Sequence, residues 1–332
     1  MTKRSLTMAA AAAGLVLLIA GVALFCVYGP FAAPLSEPEL KKQLESDNPG
    51  FTLFDLHIGF VRLKGNDYSA VVRPTQQGKY NYLSVFHRHE LKDLSALKRS
   101  PIRYLSLYDS GVRDLSVLKD VRDLEFLHLG GNRELKDFNF LKALKLRMLH
   151  ITDSPAFSDT TLIPPTVTAL ILDRTGVTEL KLQDPANIKV LTLTGSGGLK
   201  NAAQIGEMKN LQVLTLSSWE GISLERLGKL KSVGFDRSPI TELPVMPQKN
   251  FELVSVFKCD ALKSIAPLRG KKLRHLWLMG ENIARFLPEI LDLDVEVLVI
   301  GDRTITAEDP LVKKIAAKVK NLHLNSSVVE RQ

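Results

Sequence analysis

Pairs of apolar residues separated by one variable position recur about every 22 residues along most of this chain. They read YLSL at 104–107, FLHL at 126–129, MLHI at 148–151, ALIL at 169–172, VLTL at 190–193 and VLTL at 213–216. Looser copies follow as SVGF at 232–235, LVSV at 253–256, HLWL at 275–278, VLVI at 297–300 and NLHL at 321–324, and YLSV at 82–85 is the first. Apolar–polar alternation inside each copy predicts a short strand with one buried face. A fixed period of this length predicts a solenoid, in which each unit buries its apolar face against its neighbours. One strand per copy gives a parallel sheet on the order of 50 Å long at ~4.8 Å per strand. The return path needs less width than the strands, so the sheet is expected to line the concave side of a curved stack.

The ends of the chain lack the repeat. Leu6 to Tyr28 carries no charge and follows Lys3 and Arg4. About 20 apolar residues span a bilayer, more than an ordinary signal peptide contains. Phe31-Ala32-Ala33 and Phe25-Cys26 fit cleavage and lipid-attachment sites poorly. The expectation is an uncleaved signal-anchor helix at 6–28, with 1–5 cytoplasmic and the rest beyond the membrane, in the periplasm if the cell has one. A cleaved signal and a secreted solenoid is the alternative. Residues 29–80 read as a tether and N-terminal cap. The capping-box pattern Ser36-Glu37-Pro38-Glu39 predicts a helix over 37–46. Gly65-Asn66-Asp67 predicts a turn between strands at 51–63 and 68–73. The solenoid is expected over 81–325. Asp309-Pro310 predicts a helix from Leu311 to Val319 before the last strand, and Val328 and Val329, in the 326–332 tail, are placed to cover its edge.

Composition adds bounds. Hydrophobic residues make up 45% and aromatics 7%, as a leucine-built core requires. Net charge is +8, and clusters such as Lys98-Arg99, Lys271-Lys272 and Lys313-Lys314 are short and scattered. They read as solvated surface, and no nucleic-acid partner is expected. Beyond the apolar segment Cys259 stands alone, so no intramolecular disulfide can form there.

Leu124-Glu125-Phe126-Leu127-His128-Leu129-Gly130-Gly131-Asn132 carries the spacing L-x-x-L-x-L-x-x-N, with Leu135 beyond it. A second theme follows the strands: Leu91-Lys92-Asp93-Leu94-Ser95-Ala96-Leu97, Val112-Arg113-Asp114-Leu115-Ser116-Val117-Leu118 and Leu135-Lys136-Asp137-Phe138-Asn139-Phe140-Leu141. Together these resemble the leucine-rich repeat family, in particular its 22-residue, internalin-like bacterial subclass, over about 245 residues. The resemblance implies an α/β solenoid with a parallel concave sheet and non-catalytic binding of a protein. It also implies a ladder of small polar residues at the bend after each strand. That column reads Arg88, Ser110, Asn132, Ser154, Thr175, Ser196, Trp219, Ser238, Cys259, Glu281, Arg303 and Ser327. Breaks are expected at Trp219, Glu281 and Arg303.

Residues beside the inward leucines should form rows across the concave face. Tyr82, Tyr104, Phe126 and Met148 make one row, Ser84, Ser106, His128 and His150 the next, and Phe86, Tyr108, Gly130 and Thr152 a third. Tyr82, Phe86, Tyr104, Tyr108 and Phe126, with His128 and His150, are the expected partner-binding residues. Packing of the cap over them is the alternative. A smaller patch holds Phe257, His275, Trp277 and Met279. His128 and His150 lack a third metal ligand, and His87-Arg88-His89 is a weaker arrangement, so no metal is expected. No G-x-S-x-G, C-x-x-C or H-E-x-x-H is present, and the glycine-rich 194–200 stretch lacks phosphate-loop spacing. No cofactor and no catalysis are expected. The rival reading is an envelope glycan enzyme using Asp173 and Asp236.

Overall fold

The computed structural model describes residues 46–47, 49, 61–62, 69–74, 81–99, 102–195, 199–200, 202–217, 222–325 and 327–329. The expected anchor at 6–28 and most of the tether and cap lie outside them. No helix among the described residues is long and apolar enough to cross a membrane. The chain divides into two compact units, Met1–His128 and Leu129–Gln332.

In the first unit, β1 (Val61–Arg62), β2 (Ser69–Pro74), β3 (Asn81–Phe86), β4 (Ile102–Tyr108) and the start of β5 (Phe126–Gly130) follow in order. β3 and β4 are parallel, with Leu83 opposite Leu105 and Val85 opposite Leu107. β1 and β2 form the hairpin expected around residues 65–67, and β2 pairs antiparallel with β3. β2 thus satisfies the open edge of β3 by pairing with it. Ser46 and Asp47 are helical, at the end of the helix expected over 37–46.

In the second unit, β6 (Met148–Ser154), β7 (Ala169–Thr175), β8 (Val190–Thr194), β9 (Val213–Leu216), β10 (Ser232–Asp236), β11 (Asn250–Phe257), β12 (Lys272–Met279), β13 (Asp294–Gly301) and β14 (Asn321–Leu324) are parallel neighbours in chain order. β15 (Ser327–Val329) pairs antiparallel with β14, placing Val328 and Val329 along its edge as expected. All twelve copies of the apolar pair fall in strands, β3 to β14.

The paired leucines face the core. Leu83, Leu105, Leu107, Leu149, Leu170, Leu172, Leu191, Leu214, Leu276 and Leu298 are fully buried, each contributing about 1.5–3 kcal/mol. The second theme closes the opposite side. It forms 3-10 turns at Ser95–Arg99, Ser116–Asp120 and Asn139–Ala143, burying Leu97, Leu118 and Leu141. A carboxylate two residues ahead starts each turn: Asp93, Asp114 and Asp137 accept from the amides of Ser95, Ser116 and Asn139 at 2.7, 2.7 and 2.8 Å. This is why the theme reads Asp-x-Ser or Asp-x-Asn. The Ser95 hydroxyl and amide hold the Asp93 carboxyl below its ordinary range. Near the C-terminus the turns give way to helices α1 (Leu287–Ile290) and α2 (Pro310–Lys318). Asp309 caps α2 by accepting from the Leu311 amide at 2.7 Å, with Pro310 at the first position, as the sequence predicts.

Most of the bend ladder is where the sequence puts it: Arg88, Ser110, Asn132, Ser154, Thr175, Ser238 and Cys259 are buried. Ser196 and Trp219 lie outside the described residues. Glu281 and Arg303 are exposed and break the column where breaks are expected. Asp302 is the buried group instead. It accepts from the Ile283 amide at 2.8 Å, the Thr304 amide at 2.9 Å and the Thr304 hydroxyl at 2.7 Å. Burial works to raise its pKa, but these bonds outweigh it and the carboxyl stays below its ordinary range. Cys259 Sγ lies 3.5 Å from the carbonyls of Phe235 and Phe257, and burial pushes its thiol up to about 11. Thiolate is the reactive form. Cys259 is therefore expected to resist a thiol-specific reagent at pH 8 until denaturant is added; fast labelling of Cys259 in a folded Cys26→Ser chain would contradict this ladder role.

Candidate binding faces of the sheet

On β3 to β5 the rows beside the inward leucines line up. Tyr82 is opposite Tyr104, Ser84 opposite Ser106, and Phe86 opposite Tyr108. Tyr104 stacks on Phe126 with centroids 6.2 Å apart and planes 24° apart. Phe86 and Tyr108 lie 6.0 Å apart. The two aromatic rows flank Ser84, Ser106 and His128, and the Ser106 hydroxyl is hydrogen-bonded to His128 Nδ1 at 2.9 Å. His87 meets the Tyr108 ring edge-on at 5.5 Å and bonds to Asp109 through Nδ1 at 2.9 Å.

Exposure differs from expectation. Phe86, Tyr104 and Tyr108 are half-buried, but Phe126 and His128 are only 4% and 6% exposed, and on β6 His150 is 4% exposed. Adjacent strands are only ~4.8 Å apart. Large side chains in neighbouring rows therefore cover one another and the polar row between them. Burial lowers the His128 pKa to about 4, so its ring is neutral near pH 7. Tyr82 takes its place in the β3 register, and its side chain lies outside the described set. Among the described residues of β3 to β5, the aromatic surface is Phe86, Tyr104 and Tyr108.

In the second unit the middle of the face is a floor of buried small residues: Ala169, Ile171, Val190, Thr192, Val213 and Thr215. Gly234 continues it because there is no room for more; a Cβ there would lie 2.6 Å from Thr215 Oγ1 and 3.0 Å from Ser255 Oγ. The second predicted patch assembles beyond it. Phe257, His275, Trp277 and Met279 are half-buried, with Phe257 opposite Met279. The Arg237 guanidinium stands 5.1 Å from the Phe257 centroid, and Lys258 Nζ stands 5.6 Å from it. Burial, helped by the Arg274 charge, lowers the His275 pKa.

Asp173 and Asp236, the candidate acid pair for glycan chemistry, are buried. Asp173 accepts from the hydroxyls of Thr194 at 2.8 Å and Thr152 at 3.2 Å, and pairs with Arg174 Nη1 at 2.5 Å. Asp236 accepts from Ser217 at 3.2 Å and pairs with Arg237 Nη1 at 3.0 Å. Burial raises the Asp236 pKa against the pull of Arg237. Both carboxylates are thus tied into the face rather than presented from it. Among the described residues no three His, Cys, Asp or Glu side chains gather to hold a metal.

One column has no counterpart in the sequence reading. Just before the bend ladder, His87, Asp109, Gly131, Asp153, Arg174, Gly195, Arg237 and Lys258 adopt left-handed backbone, with φ between 47° and 64°. The amides of His87, Gly131, Arg237 and Lys258 bond forward to a carbonyl of the next repeat, as in His87 to Tyr108 at 2.8 Å and Arg237 to Phe257 at 2.7 Å. Left-handed backbone favours glycine, yet only two of these eight are glycine. The strained positions instead carry charged side chains along the exit edge of the strands.

Parallel strands in chain order, one inward apolar pair per strand and a turn closing each repeat are leucine-rich repeat architecture, present in each unit. No protein-family model matches the chain, and no curated protein matches it. Among solved structures the chain is similar to an internalin (inlF) from Listeria monocytogenes, at 14% identity over 79% of this chain and 86% of that one, with a TM-score of 0.43. It is also similar to internalin C2 (inlC2) from the same organism, at 15% identity over 87% of this chain and 93% of that one, with a TM-score of 0.30.

Proposed function

We propose that the protein is a non-catalytic scaffold that binds a protein partner through the aromatic face of β3 to β5. The observation that carries this reading is the half-buried trio Phe86, Tyr104 and Tyr108, set in register on two adjacent strands. Tyrosine offers large contact area with few rotamers to freeze, which suits an interface anchor. Stacking on Phe126 and the Ser106–His128 bond beneath hold the rings in place before binding, so little ordering entropy is lost. The reading includes an anchor at Leu6–Tyr28 that holds the repeats on the far side of a membrane from Lys3 and Arg4.

The full chain, captured from detergent-solubilised membranes, tests the face. Tyr104→Ala with Tyr108→Ala should weaken the partner about 30-fold or more, as loss of a hot spot does. If every captured partner stays bound to the double variant, the face is misassigned. N-terminal sequencing of the mature protein tests the anchor: a chain that keeps its first residues supports it, and one that starts after residue 30 makes the solenoid a secreted binder.

A further inference from the structure

Two rows of cations border the plain middle of the second unit's sheet. On the entry side, the residues just before β6 to β10 are Arg147, Thr168, Lys189, Gln212 and Lys231: three cations and no acid. On the exit side, the left-handed column supplies Arg174, Arg237 and Lys258. The sunken floor between them is Ala169, Ile171, Val190, Thr192, Val213, Thr215 and Gly234. The acids at hand are already engaged. Arg174 Nη2 bonds to Asp153 at 2.9 Å and Nη1 pairs with Asp173, while Arg237 pairs with Asp236. Lys189, Lys231 and Lys258 have no carboxylate partner among the described residues, and Lys258 leans on the face of Phe257. Glu252, next to Lys231 in the entry row, is taken up by Arg274 at 3.1 Å, and the trough from Arg147 to Lys258 holds six cations against four carboxylates.

We propose that this trough binds an extended acidic segment of a polypeptide. Such a chain points successive side chains to opposite sides, so one run of Asp and Glu meets both cation rows while its backbone lies on the small-residue floor. The floor of β7 to β10 presents no aromatic ring on which bases or sugars would stack, since Phe235 is fully buried in the core. Asp173 and Asp236 break the positive field at two points. An unbroken row of phosphates or sulfates would meet them head-on, whereas acids spaced by neutral residues avoid them. The trough belongs to the second unit and stands independently of the aromatic face on the first.

Fluorescence anisotropy of the full chain in detergent, with a labelled extended peptide repeating Glu-Glu-Thr-Thr, whose paired acids point to opposite sides and are spaced by neutral residues, tests the proposal. Saturable binding that weakens as salt is added is expected. Lys189→Glu with Lys231→Glu should reduce affinity about tenfold or more, against little change for Lys313→Glu with Lys314→Glu on α2. If the charge-reversed chain fails to fold, Lys189→Gln with Lys231→Gln replaces it, and a loss of about threefold or more is expected. No saturable binding, or an equal loss from the α2 pair, overturns the proposal. So does tighter binding of single-stranded DNA or a sulfated glycan with the same sensitivity to Lys189 and Lys231, which would make the trough a general polyanion site.

Discussion

Gly111→Ala is expected to lower the melting temperature by about 6–12 °C, a loss of about 3 kcal/mol. A methyl group on that Cα would lie 2.0 Å from the carbonyl oxygen of His89 and 2.9 Å from its carbon. Both atoms are backbone, so no rotamer change relieves the overlap. One repeat must shift against the next, and the Gly111 amide bond to the Arg88 carbonyl, 3.2 Å long, goes with it. Gly111 is needed for room and not for a left-handed backbone. The same crowding recurs in the second unit at Gly176, where a Cβ would lie 2.4 Å from the Pro155 carbonyl oxygen. Gly228 is the control, since nothing lies within 4 Å of its Cβ position. Calorimetry of the variants checks the claim. A Gly111→Ala protein melting alongside Gly228→Ala would mean that the repeats slide past each other freely.

The sequence carried the strand positions because they depend on a long-range period that twelve copies reinforce. The Asp309 cap and the covering of β14 by β15 were legible for a local reason: each is written in a few adjacent residues. The exposure of the candidate site was not. The pattern says which face Phe126, His128 and His150 share, but not how far neighbouring rings close over them. Asp302 was not singled out: the break at Arg303 was legible, but not that the carboxylate one position earlier takes over as the buried group, in a stretch where Gly280 stands at φ 152° in place of the usual left-handed residue. The left-handed column left no compositional trace, since most of its members are charged. The cation rows were hidden for a related reason. Lys189 and Lys231, or Arg237 and Lys258, sit about one or two repeats apart in sequence, so a search for adjacent basic residues finds Lys271-Lys272 and misses them.

Acid is expected to weaken the first unit through His128, by about 3 kcal/mol between pH 6.5 and pH 4. Burial lowers its pKa from 6.5 to about 4 in the folded chain. Above pH 6.5 the ring is neutral whether the chain is folded or not, and the group costs nothing. As pH falls through 6.5 the unfolded chain takes up a proton that the folded one refuses. Stability is therefore lost progressively until the folded ring protonates near pH 4, and the loss then levels off. Asp93 and Asp114, lowered from 3.8, act mainly below this window, whereas Glu179 and Glu308, lowered from 4.5, and Asp236, raised by burial, act at its acid end in the second unit. His275, also lowered, adds to the slope in the second unit, so the comparison must be with a single-site variant. His128→Gln keeps a side chain able to bond to the Ser106 hydroxyl and removes the titration. Urea unfolding followed by Tyr fluorescence at pH 7 and pH 4.5 should show the wild-type chain losing markedly more stability than His128→Gln on acidification. Equal losses would place His128 in contact with water, and the aromatic rows of β3 to β5 would then be more open than their packing indicates.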